Sequence, residues 1–252
     1  MKSAKVTRVS NLLPVLRSVA SGVPDLIWPR TCAGCRERGA WVCRHCLQGL
    51  PLAREPWCGR CGARGCECLS LSPLIALARS VGPHDGWLAA AIHRLEYEGE
   101  TSRAVHLGEA MTPLVAGIMV DEPHALIVPV PLHPRRERQR GYNQSLLVAR
   151  AAVGPWRQNL APDAVRRVRA TAQQVGLSSD ERVFNVVGAF EADIALVAGR
   201  PIVLIDDVMT TGSTLAACAL VLMDAGAAAV GVVTLSRASW TSRTWDGPMS
   251  DA

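Results

Sequence analysis

The stretch from Pro201 to Thr214, P-I-V-L-I-D-D-V-M-T-T-G-S-T, constrains the fold more than any other part of the chain. Ile202 to Ile205 are four apolar, mostly β-branched residues. The run is too short for a helix and too apolar for an exposed edge, so it predicts a buried parallel strand and an α/β fold. Asp206 and Asp207 follow at the carboxyl end of that strand, where open α/β sheets place their ligands. A turn rich in Thr, Gly and Ser leads into a predicted helix. Ser213 or Thr214 can cap it, Leu215, Cys218, Val221 and Leu222 give it an apolar stripe, and Gly226 ends it.

The chemistry of this strand-turn-helix is legible from its parts. Backbone N–H groups of Thr210, Thr211, Gly212, Ser213 and Thr214, with hydroxyls beside them and a helix N-terminus behind, make a cradle for a phosphate dianion. The carboxylates of Asp206 and Asp207 accept hydrogen bonds and repel phosphate, so they suit sugar hydroxyls or a Mg²⁺ shell. A ligand with a phosphate at one end and a ribose diol at the other satisfies both halves. No lysine follows the glycine, which excludes a Walker A loop.

Eight cysteines fall within thirty-seven residues near the N-terminus. They form C-x-x-C pairs at Cys32 and Cys35, Cys43 and Cys46, and Cys58 and Cys61, then C-x-C at Cys66 and Cys68. Such pairing reads as thiolate knuckles around metal rather than as disulfides, and eight thiolates make two tetrahedral structural zinc sites. Neighbouring pairs most simply close on each other, Cys32, Cys35, Cys43 and Cys46 in one site and Cys58, Cys61, Cys66 and Cys68 in the other; an interleaved pairing stays open. Gly34, Gly59 and Gly62 supply tight turns. The C-x-C pair is one residue short of a knuckle. His45 is an alternative ligand there, though an exposed loop histidine is the simpler reading, and Cys218 reads as a core residue.

Lysine occurs only at Lys2 and Lys5, so the net charge of +5 rests on arginine and Schiff-base chemistry is excluded from the folded part. Nine arginines stand between His133 and Arg169 against Glu137 and Asp163 alone, which points to an anionic partner, pyrophosphate or nucleic acid. Along the chain, Leu88, Ala91, Ile92 and Leu95 predict a helix over 85–98. A second follows with Ala104, Leu107, Met111, Leu114, Val115 and Ile118 buried and a kink at Pro113. His93 and His106 on these helices read as surface or packing residues. Ala125 to Val130 is a second buried strand. The four arginines of 135–140 then form a loop, with a helix starting near Asn143; in that loop Arg138 and Arg140, nearest the helix, suit pyrophosphate, while Arg135 and Arg136 face solvent or DNA. Val165 to Val168 is a third strand, 170–182 a candidate lid, and Ala229 to Leu235 the strand that closes the sheet.

The Pro201–Thr214 stretch resembles the phosphoribosyl-pyrophosphate (PRPP) motif of type I phosphoribosyltransferases. That resemblance implies that Asp206 and Asp207 hold the ribose 2′ and 3′ hydroxyls and that Thr210 to Thr214 hold the 5′-phosphate. V-P-V-P at Val128 to Pro131, R-x-R-G-Y-N-Q at Arg138 to Gln144, the run from Arg167 through Thr171, Gln174, Arg182 and Asn185 to Phe190, and the cysteine module look like the ComF family, competence-associated phosphoribosyltransferase-like proteins with an N-terminal zinc ribbon. The resemblance covers roughly Asp25 to Arg237. One departure is Glu96, in L-E-Y-E-G, where the family usually has lysine before the tyrosine; it reverses a charge near the expected hood.

The expected organisation is a leader over 1–24, a double zinc ribbon over 25–72, a phosphoribosyltransferase-like parallel sheet flanked by helices and topped by a helical hood over 80–238, and a disordered tail over 239–252. No signal peptide or membrane span is read, which makes the expected location cytoplasmic. Two functions stay open. One is phosphoribosyl transfer from PRPP and Mg²⁺ to an acceptor, with Asp206, Asp207, Arg138 and Arg140 as the reacting-site residues and a link to DNA uptake in natural competence. The other is a non-catalytic module that senses PRPP or binds single-stranded DNA alongside competence machinery.

Overall fold

A computed structural model describes residues 30–50, 58–62, 68, 71–169 and 188–238. The leader, Cys66, the lid segment over 170–182 with Gln174, Asn185 and the tail lie outside the described residues. Four strands, β1 (Leu77–Pro83), β2 (Leu126–Pro129), β5 (Pro201–Met209) and β6 (Ala229–Arg237), form one parallel sheet in the order β1-β6-β5-β2. The β5 strand is buried on both faces. Ile202 and Leu204 pack in one core with Leu215, Cys218 and Leu222 of α7 (Ser213–Asp224), while Val203 and Ile205 pack in the other. That second core belongs to the helices α2 (Gly86–Tyr97), α3 (Arg103–Asp121) and α5 (Gln144–Ala152). Alternation of side chains across the pleat splits one continuous apolar run between two cores, which is why the run shows no hydrophobic-polar period.

The helical faces read from periodicity hold for Leu88, Ala91, Ile92 and Leu95 and for Ala104, Leu107, Met111 and Val115, all buried; Leu114 and Ile118 are half-buried beside them. Gly108 lets α3 and α5 touch. A Cβ at that position would stand 2.4 Å from the carbonyl oxygen of Val148 and 2.5 Å from the Cβ of Ala151.

Several expectations need correction. β1 carries no strand signal, because L-A-R-S-V-G-P mixes polar and apolar residues; at the edge of the sheet, it pairs among the described residues with β6 alone. β6 does not close the sheet but lies inside it, between β1 and β5. Val165–Arg167 (β3) is not in that sheet at all. It pairs antiparallel with Phe190–Ala192 (β4) as a separate ribbon. The arginines of 135–140 are in a helix, α4 (Pro134–Arg140), not a loop. Its start is built from local signals: the His133 side chain accepts from Arg135 N–H, Pro134 occupies the first turn, Glu137 sits near the N-terminus, and Gly141 at φ 84° caps the end. At α7 the cap is Gly212, left-handed at φ 74°, and neither Ser213 nor Thr214 caps with its side chain.

The cysteine module is joined to the sheet by direct bonds. Ala78 N–H donates to the Arg60 carbonyl at 2.8 Å, Arg79 Nη2 to the Gly59 carbonyl at 2.7 Å, and buried Arg237 Nη1 to the Cys61 carbonyl at 2.7 Å. On its other side, Arg103, 1% exposed, stacks 4.4 Å from the Trp41 ring and pairs with Glu100. Val42 and Leu50 are buried in the same core as α2 and α3.

Candidate functional site

The carboxyl ends of the parallel strands open into a cavity of about 700 Å³. Asp206, Asp207, Thr210 and Thr214 line it from β5 and the turn after it, Arg136 from α4, Arg167 from β3, and Gln144 and Ser145 from the start of α5. The opposite wall comes from α2: Ala89, His93, Glu96 and Tyr97. His84, just past β1, also lines it.

The acid pair is buried, at 8% and 7% exposed, and held by directed bonds. Ser145 Oγ donates to Asp206 Oδ1 at 2.8 Å, Asp207 N–H to the same oxygen at 3.0 Å, and Val208 N–H to Asp207 Oδ1 at 2.8 Å. Among the described residues, Asp207 Oδ2 is buried with no hydrogen-bond partner. Burial, then the neighbouring Asp207 charge, pushes Asp206 well above the usual carboxylate range, partly offset by Ser145. Burial, then the Glu96 charge, brings Asp207 up to about 6. An orphaned buried carboxylate oxygen is costly and asks for a partner that donates a hydrogen bond or for a cation.

Beyond the acids, the turn supplies the left-handed Gly212 and a hydroxyl pair, Thr211 Oγ1 and Ser213 Oγ at 2.7 Å. Asn143 caps α5, accepting from Ser145 N–H at 3.0 Å, and its amide donates to the Val130 carbonyl at 3.0 Å, so the end of β2 and the start of α5 are locked together. That lock places Ser145 against the acid pair.

The arginines divide differently from the sequence reading. Arg138 is exposed and does not line the cavity, whereas Arg136, read as solvent-facing, does. Arg140 is tied to the α2 wall: its Nη2 bonds Glu96 Oε1 at 3.2 Å, its Nη1 donates to Gln144 Oε1 at 2.8 Å, and its guanidinium lies 5.3 Å from the Tyr97 ring centre. The Glu96 charge therefore meets Arg140 directly. Ser145, Arg167 and His84 also line the cavity, beyond the residues that the sequence singles out for it. Ser145 was signalled by its place one residue after the N-Q of a helix start; His84 was hidden because its strand was unread.

In the cysteine module, the sulfurs of Cys32, Cys35, Cys43 and Cys46 lie within 4.8 Å of one another, as do those of Cys58, Cys61 and Cys68. Both groupings follow neighbouring pairs. Donors are already aimed at the sulfurs: Cys43 N–H at Cys32 Sγ, 3.2 Å, and Cys46 N–H at Cys43 Sγ, 3.4 Å, at the start of α1 (Arg44–Gln48). Burial alone would raise the Cys32 thiol, yet backbone N–H groups of Cys43, Cys35 and Gly34 bring it to about 7; those of Cys61 and Arg60 bring Cys58 to about 6. Gly34 is needed for closeness, since a Cβ there would stand 2.5 Å from Cys46 Sγ, and Gly62 for its φ of 68°; Gly59 meets neither need. Clustered soft sulfur ligands suit zinc. His45 is exposed on α1, outside the sulfur cluster, and Cys218 is fully buried in the core, where burial pushes its thiol up.

No protein-family model matches the chain. It is 34% identical over 233 residues to the DNA utilization protein YhgH of Escherichia coli, covering 85% of this chain and 98% of that one. Competence protein F of Haemophilus influenzae is 29% identical, over 78% of this chain and 96% of its own, and competence protein ComFC of Bacillus subtilis is 26% identical over 82% and 84%.

Proposed function

Because the chain belongs to the ComF family, we propose that its cavity binds PRPP with Mg²⁺ and transfers the phosphoribosyl group to an acceptor, in the service of DNA uptake in the cytoplasm. The observation that carries this reading is the buried acid pair with one unpartnered oxygen, facing a small-residue turn in a cavity of about 700 Å³. A ribose diol supplies two donors for that pair. The 5′-phosphate fits the Thr210–Thr214 turn and the start of α7, where N–H groups and the helix dipole favour an anion. Arg136 and Arg167 stand on the cavity wall as cations for pyrophosphate.

Hard carboxylate oxygens at Asp206 and Asp207 fit Mg²⁺, which when bound would neutralise charge on the leaving pyrophosphate. The chain's own part is positional. Ser145 fixes Asp206, the N–H of Val208 fixes Asp207, and the α2 wall stands across the cavity from the acid pair. Two zinc ions, one on Cys32, Cys35, Cys43 and Cys46 and one on Cys58, Cys61, Cys68 and Cys66, would hold the module as a structural element.

Calorimetry with PRPP and Mg²⁺ tests the reading. Wild type is expected to bind, and Asp207→Asn to bind more weakly by about 1.5 to 3 kcal/mol through loss of a charged acceptor. Absence of heat and of thermal stabilisation at millimolar PRPP would sink it. A second reading, single-stranded DNA binding without catalysis, is favoured by exposed Arg135 and Arg138 on α4, outside the cavity lining, and by the name of the Escherichia coli relative.

A further inference from the structure

His84 lies at the carboxyl end of β1, the same end of the sheet as the acid pair, and lines the cavity shared by Asp206, Asp207 and the α2 wall. Its position is fixed twice. Its backbone N–H donates to the Arg237 carbonyl at 2.9 Å, and its Nδ1 bonds the buried Ser236 Oγ at 2.8 Å. A histidine whose Nδ1 is held by a hydroxyl has a set ring plane and a set tautomer when that nitrogen donates, leaving Nε2 with its lone pair. A base oriented by a third group is the arrangement proton-abstracting sites use.

Resting on the PRPP reading above, we propose that His84 is the proton acceptor for the incoming acceptor molecule, with Ser236 as its positioning residue. An acceptor bearing an N–H or O–H sits between His84 and the ribose. Its N or O forms the bond to C1, the C1–O bond to pyrophosphate breaks with the electron pair leaving on pyrophosphate, and the acceptor's proton goes to His84 Nε2. The acceptor class that fits is one that offers an N–H or O–H to His84 Nε2, and Glu96 on the same wall, paired with Arg140, can accept a second hydrogen bond from it. Burial lowers the His84 pKa, partly offset by the charges of Glu96 and Asp85, which keeps the ring neutral and able to take a proton at pH 7. The other ionisable groups on the cavity are Asp206, Asp207, His93, Tyr97, Arg136 and Arg167.

Water is the probe acceptor, and the readout is pyrophosphate release from PRPP and Mg²⁺ by the full chain. His84→Asn keeps a polar atom where Nδ1 bonds Ser236 but removes Nε2. Its PRPP affinity by calorimetry is expected to stay within about twofold of wild type, while kcat at saturating PRPP falls about 100-fold or more and the part of the acid limb that belongs to His84 disappears from its pH profile. Ser236→Ala is expected to lower kcat less and to leave that limb in place. An unchanged kcat and profile in His84→Asn would overturn the proposal, as would parallel loss of affinity and melting temperature, which marks a structural role. Wild type that binds PRPP but releases no pyrophosphate also overturns it. Wild type that binds no PRPP refutes the underlying reading instead.

Discussion

Asp207 shows how a single buried residue can cost the fold stability. Its carboxyl is raised from the usual 3.8 to about 6, by burial first and by the Glu96 charge second. Between pH 3.8 and about 6 the folded chain therefore holds a proton that the unfolded chain has released. Stability from this group is fully present below pH 3.8 and is lost as pH rises through about 6, an effect of about 3 kcal/mol for a shift of this size. At pH 7.5 without ligand, Asp207→Asn is expected to be more stable than wild type by denaturant unfolding, and near pH 3.5 the difference should vanish. A less stable variant at pH 7.5 would show that the unpartnered oxygen costs nothing. The same residue reverses sign for the ligand: PRPP affinity is expected to fall as pH drops below about 6, where the acceptor becomes protonated. At this scale the sequence was readable for the acids, since two adjacent carboxylates after an apolar run have few structural uses. It was silent on Ser145 and His84, whose meaning depends on partners 61 and 152 positions away.

Whole elements were legible where local signals agree. The start of α2 at Asp85 and of α5 at Asn143, whose side chains cap those helices, follows from short polar residues before an apolar stripe. α4 carries its own signals in H-P-R-R-E and the closing glycine, though with four arginines in seven residues it has no apolar stripe to mark it as a helix. β1 was unreadable because β6, its strand partner among the described residues, comes more than 140 residues later. The helical form of α4 gives it two faces. Arg136→Ala is expected to weaken PRPP binding and Arg138→Ala to leave it unchanged, while lowering single-stranded DNA affinity and flattening its salt dependence by about one phosphate contact; paired titrations at two salt concentrations check both. The α3–α5 contact allows a second test. Gly108→Ala would drive a methyl against the Val148 carbonyl, so stability should fall by about 1 to 3 kcal/mol. Because α5 also carries Ser145, PRPP affinity should fall with it.

Across the whole molecule, the cysteine module and the sheet share cores, which bears on what zinc would do. Independent zinc ribbons would unravel on chelation and leave the α/β core standing, the outcome that a boundary near residue 72 implies. The contacts argue otherwise. Arg237, at the end of β6, donates to the Cys61 carbonyl, and the residue before it holds the His84 ring. Arg103 of α3 is buried against Trp41, and Val42 and Leu50 lie in one core with Leu88 of the cavity-lining helix α2. Loss of the sulfur clusters would thus expose apolar surface on the α2 wall and leave the Arg103 guanidinium without its ring partner, a buried charge with one fewer contact. Freshly purified, reduced protein is expected to contain close to two zinc ions by metal analysis. Chelation is expected to lower the melting temperature of the whole described fold in one cooperative transition, followed by near-ultraviolet dichroism from Trp41 and Trp87 together with far-ultraviolet signal from the sheet and helices. Two separated transitions, with PRPP binding intact after the first, would show the module to be a detachable appendage. Arg103→Ala supplies the matching test in the loaded protein: if the two parts share their stability, it lowers the single transition without changing the zinc content.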